Sequence, residues 1–61
     1  MTTNVTHIFN GAAVASTNVL DMQENIQHWK EHGFEVCIKQ SFRTILQHPE
    51  LDELVILELA N

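Results

Sequence analysis

The sequence predicts an α/β domain: a minimal β-α-β-α-β unit whose three-stranded parallel sheet is completed by oligomerisation. Three observations point there. β-favouring runs at 5–9, 34–38 and 54–59 alternate with segments that carry helical signals. One of those segments, 18–32, repeats apolar residues at steps of three and four. The stretch from Asn10 to Asn18, which joins the first run to that helix, is small and hydroxylated. Alternating strands and helices imply parallel strands joined by right-handed crossovers.

Val5-Thr6-His7-Ile8-Phe9 reads as strand one, and residues 10–17 as a strand-to-helix loop. In 18–32, Val19, Met22, Ile26 and Trp29 form one apolar stripe, with Trp29 packing on the sheet. Thr17 or Asn18 caps the start of this helix and Asp21 and Glu24 lie near the positive end of its dipole. Lys30 and His32 lie near the other end, and Gly33 stops it. Phe34-Glu35-Val36-Cys37-Ile38 reads as strand two, with Phe34, Val36 and Ile38 on one face and Cys37 on the other. Ser41 caps a second helix carrying Phe42, Ile45 and Leu46, which ends near His48 because Pro49 disfavours helical geometry in the residue before it. The nearly continuous apolar run Leu54–Leu59 suits a strand covered on both faces, although Leu51, Leu54 and Val55 also fit a helix starting near Pro49. A competing reading turns Asn10-Gly11 into a type I′ hairpin that pairs 5–9 with 12–16, against which stand Ala12, Ala13 and Ala15, poor strand residues. If strand one is central, in the order 2-1-3, strands two and three are both edges.

Residues 1–61 form a single small domain. A chain this short buries only about 60% of the surface that its unfolded form exposes. Cys37 is the one cysteine, so no disulfide within the chain reinforces it, and the His and Cys spacings match no structural zinc site. Association with a second copy is the remaining common route to stability. Three Lys/Arg against eight Asp/Glu give a net charge of −5, which argues against nucleic-acid partners and anionic membranes. No apolar run approaches the roughly 20 residues of a membrane span. Nothing at Met1-Thr2-Thr3-Asn4 resembles a signal peptide, so the expected setting is cytoplasmic, and the sequon Asn4-Val5-Thr6 is read as chance.

The loop carries the chemical reading. Small side chains let backbone N–H groups approach an anion, and a following helix N-terminus adds unpaired donors. Asn10, Gly11, Ala12, Ser16, Thr17 and Asn18 are the candidate ligand-binding residues, with Lys39 and Arg43 completing a phosphate site from the next strand-to-helix turn. Ile8-Phe9-Asn10-Gly11-Ala12-Ala13-Val14-Ala15-Ser16-Thr17 resembles the opening of the enzyme IIB components of the bacterial sugar phosphotransferase system, the galactitol-type ones in particular. The resemblance runs through the helix into Gly33-Phe34-Glu35-Val36-Cys37-Ile38 and fades after residue 40. It implies a parallel α/β fold and a loop that holds phosphate on backbone amides. It also places Asn10 where that family has its phosphoryl-accepting cysteine. An amide cannot carry a phosphoryl group, so the implied module is shortened and non-catalytic.

Other polar groups have plainer readings. Cys37, within a strand and without a basic neighbour, reads as a buried structural thiol. His28 and His32, spaced i,i+4 with Glu24 in the same row, read as a polar helix face rather than a metal site. His7 and His48 are isolated. No cofactor, metal or catalytic residue is expected. Two functions remain open. One is a small anionic ligand, phosphorylated or nucleotide-like, bound at the first loop of a homo-oligomer. The other is a phage- or plasmid-type interaction or inhibitor module that meets a protein partner through an apolar edge strand and a helix face.

Overall fold

The direction of the chain is set at Asn10-Gly11. In the computed structural model, which describes residues 2–60, both residues have positive φ (52° and 80°), as a type I′ turn requires. β1 (Thr2–Phe9) therefore folds straight back into β2 (Ala12–Val19), with Phe9 opposite Ala12 and Thr3 opposite Val19. After Leu20 and Asp21 comes the helix α1 (Met22–Glu31), and then β3 (Glu35–Lys39), β4 (Arg43–Gln47) and β5 (Glu53–Ala60). The five strands form one sheet in the order β2-β1-β5-β4-β3, antiparallel at every pairing.

This overturns the expected three-stranded parallel β-α-β-α-β sheet. Residues 12–19 are a strand because each pairs along β1 or forms its bulge, and cross-strand pairing outweighs the weak intrinsic preference of alanine. Residues 43–47 are a strand and not a second helix. A short apolar run fits both periods, and here the pairing of β4 with β3 and β5 on either side decides it. The last strand, β5, is central rather than an exposed edge, since β1 and β4 flank it. The helix is shorter than 18–32, and its cap is Asp21, whose carboxylate accepts from Glu24 N–H at 3.1 Å, rather than Thr17 or Asn18.

The successive antiparallel pairings make β2 and β3 point the same way, at opposite edges of the sheet. The connection through α1 thus carries the chain back over one face. That face holds the core: Val5 of β1, Leu46 of β4, Val55 and Leu57 of β5, Ile26 of α1 and Phe34 just before β3. Val19, Met22 and Trp29 pack around it. Gly33 turns the chain after the helix at φ 92°. A Cβ there would meet His48 Nε2 at 3.2 Å, so both the conformation and the space favour glycine. His48 in turn organises the β4–β5 loop: its Nδ1 accepts from the N–H groups of Glu50 and Leu51, both at 3.1 Å. Among the described residues no helix is long and apolar enough to cross a membrane.

Each edge strand carries one bulge. Val14 is the extra residue in β2, between the pairs Ile8–Ala13 and His7–Ala15. Cys37 is the extra residue in β3, between Val36–Leu46 and Ile38–Ile45. The second bulge corrects two expectations. It breaks the alternation, so Val36 shares the helix-covered face with Leu46 while Ile38 shares the opposite face with Ile45. It also leaves Cys37 exposed and not buried.

Two core positions give opposite expectations in urea unfolding. Leu57, fully buried, loses about 2–5 kcal/mol as Leu57→Ala. Thr44 is 1% exposed and its hydroxyl has no partner among the described residues, so Thr44→Val raises the midpoint. A lower midpoint for Thr44→Val would show that the hydroxyl is satisfied.

Candidate functional site

The residues expected to cradle an anion do not converge. Asn10 and Gly11 form the hairpin turn, where Asn10 N–H is held by the Asp52 carbonyl at 2.8 Å. Ala12, Ser16, Thr17 and Asn18 lie along β2, not in a loop entering a helix. Lys39 ends β3 and Arg43 begins β4, at the end of the sheet opposite the turn. The strand–loop–helix geometry on which an anion site at Asn10–Asn18 depends is absent. The helix N-terminus is elsewhere, and Asp21 and Glu24 already supply its negative charge.

Ser16 and Asn18 have other partners. On the face away from the helix, Asn4 Nδ2 donates to Ser16 Oγ at 3.4 Å and to Asn18 Oδ1 at 3.3 Å, and Thr6 Oγ1 donates to Asn4 Oδ1 at 3.2 Å. This ladder ties β2 to β1 through side chains as well as backbone. Arg43 shares its cross-strand row with Glu58, Asn4 and Asn18, three strand spacings or about 14 Å from Asn18. Lys39, paired with Thr44, is on the other face.

Aromatic rings gather beneath the helix C-terminus. Trp29 lies edge-on to Phe34 at 5.2 Å and tilted to His7 at 5.4 Å, and Phe34 meets His48 at 5.2 Å. His7 Nε2 is 2.9 Å from Glu53 Oε2, and Trp29 Nε1 donates to Asn25 Oδ1 at 2.9 Å. The indole N–H of Trp29 and one ring nitrogen each of His7 and His48 have partners within the chain, and the cluster serves as a packing layer. His32 Nδ1 donates to the His28 carbonyl at 2.9 Å and so serves the helix end. Among the described residues no three His, Cys, Asp or Glu side chains gather in a way that would hold a metal ion.

Two features lie outside the expected set. The first is the free edge of β2. This strand has eight residues and neither a charge nor a proline, and only Val19 is partly buried. The opposite edge, β3, has five residues and carries Glu35 and Lys39. Natural edges are guarded by charges, prolines, bulges and shortness. β3 has three of these guards, whereas β2 has only its bulge near the turn, leaving 15–19 regular. The second feature is a recess of about 450 Å³ where β2 runs out, lined by Val19, Leu20, Asp21, Glu24, Asn25 and His28. Leu20 is 86% exposed at its rim. The lack of charge in 12–19 was readable in the sequence. The recess was not, because it forms only when the end of β2 and the flank of α1 come together.

No family model matches the chain, and no curated protein or solved structure matches it either.

The exposed bulge at Cys37 has a direct consequence. In the folded protein the thiol is expected to react with a disulfide reagent at nearly the rate measured in urea. Strong protection in the folded state would place Cys37 under cover and contradict the bulge.

Proposed function

We propose that this chain is a protein-interaction module that captures an extended, basic segment of a partner as an added strand on β2. The observation that carries this reading is the contrast between the two edges: β2 is long, uncharged and open, and β3 is short and charged. An added strand satisfies the outward N–H and C=O groups of β2, which gives affinity without demanding a particular side chain.

Selectivity comes from the recess. An added strand that reaches the end of β2 brings a side chain beside Asp21 and Glu24, with Val19 and Leu20 contacting its stem. A lysine or arginine suits that combination, because its alkyl chain packs on apolar surface while its charge stays at the carboxylates. The net charge of −5 attracts the same class of segment at longer range. This fits an adaptor or inhibitor better than an enzyme, since the polar groups of the recess include no assembled nucleophile and base.

The test is an amide-shift titration of the labelled protein with two synthetic extended peptides. One alternates lysine with β-branched residues, and the other has glutamate in place of lysine. The expected shifts fall in 12–21 and 24–28, with the basic peptide alone. Thr17→Lys and Glu24→Lys, both at exposed positions, each weaken binding at least about tenfold, or 1.4 kcal/mol. Equal responses to both peptides, or shifts centred elsewhere, would overturn the proposal.

A further inference from the structure

The face of the sheet away from the helix has no cover within the described chain: α1 contacts β3 and β5 from the core side. Three cross-strand rows follow from the register. Asn18, Asn4, Glu58 and Arg43 form the first. Ser16, Thr6, Ile56, Ile45 and Ile38 form the second. Ala13, Ile8, Leu54, Gln47 and Glu35 form the third. Five large aliphatic side chains are therefore gathered on this face, and Ile38 is 44% exposed. The second row is wholly aliphatic across β5, β4 and β3.

We infer that this face binds a second copy of the chain, sheet against sheet, about a two-fold axis that runs along the strands between β4 and β5. Charge decides the axis. Such an axis exchanges β4 with β5, so that Arg43 of each copy meets Glu58 of the other, and Ile45 meets Ile56. These pairs flank the axis, where the roughly 30° between packed sheets displaces contacts least. An axis along β5 itself would oppose Glu58 to Glu58, and an axis along the middle row would oppose Glu58 to Leu54. Only the first makes the face self-complementary, as an isologous interface must be. Among the described residues the one contact between a carboxylate and a basic side chain is His7–Glu53, so Arg43 and Glu58 form no ion pair there although they are cross-strand neighbours. Arg43 Nε is also buried without a hydrogen-bond partner among the described residues.

Charge and size agree with this occupant. Of the eight acidic residues only Glu35 and Glu58 lie on the face, so the net charge of −5 is carried mainly elsewhere. The four strands β1, β5, β4 and β3 span about 19 Å by 20 Å. The accessible area lost over both copies is then on the order of 1,000 Å², the lower bound for a specific interface. A weak, concentration-dependent dimer follows. The same axis lays β1 over β3 of the second copy and leaves β2 overhanging, so its edge stays free.

The test uses charge reversal read by sedimentation. The unmodified protein is expected to pass from monomer to dimer as its concentration rises. Arg43→Glu and Glu58→Arg each lose at least about tenfold in dimer affinity, since each sets like charges across both symmetry-related contacts. An equimolar mixture of the two variants regains dimer, as does the double variant. Rescue in the mixture separates pairing between chains from any effect within one chain, and circular dichroism confirms that each variant is folded. A monomer at every concentration would overturn the inference, as would a dimer indifferent to both reversals or a mixture that stays monomeric.

Discussion

The Asn10-Gly11 turn is the constraint on which everything else depends. Two successive residues with positive φ reverse the chain in the tightest way available, and few residue pairs other than asparagine and glycine tolerate this. Once residues 12–19 are folded against β1, the first strand cannot lead into a helix, and the single helix must cross from one edge strand to the other. Five of the six core residues are then sheet residues on β1, β4 and β5 or follow the helix stop, and Ile26 is the one buried helix residue. With only one helix among the described residues, those residues cover only one face of the sheet. The open face and the bare edge of β2 are consequences of the turn.

The same geometry explains why the residues expected to hold an anion are dispersed. A phosphate loop needs the end of a strand, a run of small residues and a helix N-terminus in immediate succession. Here the small residues are consumed in backbone pairing, and the helix begins after Asp21, whose carboxylate occupies the place an anion would take. Ser16 and Asn18 spend their side chains on Asn4. The surfaces proposed for a partner are unpaired strand backbone on one edge and apolar surface on one face, and both suit a polypeptide better than a small anion. The two surfaces are independent, because the edge of β2 lies outside the footprint of the face.

Some elements of the fold were legible, but the sheet was not, since it is five-stranded and antiparallel. The runs 5–9, 34–38 and 54–59 lie in or overlap strands, and Met22, Ile26 and Trp29 face the sheet as their spacing implies. Val19 fits the helical stripe equally well, yet it ends β2, since one residue cannot reveal which period it belongs to. Asn10-Gly11 carried the hairpin signal, and the three alanines that follow it argued against a strand. Their pairing with β1 outweighed that preference, and propensity alone could not have shown it. Phe42, Ile45 and Leu46 fit helical spacing, and only pairing with strands on both sides makes 43–47 extended. The bulges at Val14 and Cys37 are invisible in the sequence because each depends on the register with a neighbour. The candidate surfaces share this limit: the uncharged stretch 12–19 can be read directly, but its place at an edge requires the strand order.

Hydrogen exchange of the backbone amides tests the central claim most directly. If the turn places β2 against β1 with its outer edge free, amides in 15–19 alternate between slow and fast exchange, while those of central β5 are slow throughout. Uniformly fast exchange across 12–19 would show that the hairpin does not exist. Uniformly slow exchange there, at a concentration where the chain is monomeric, would show that the edge is already covered.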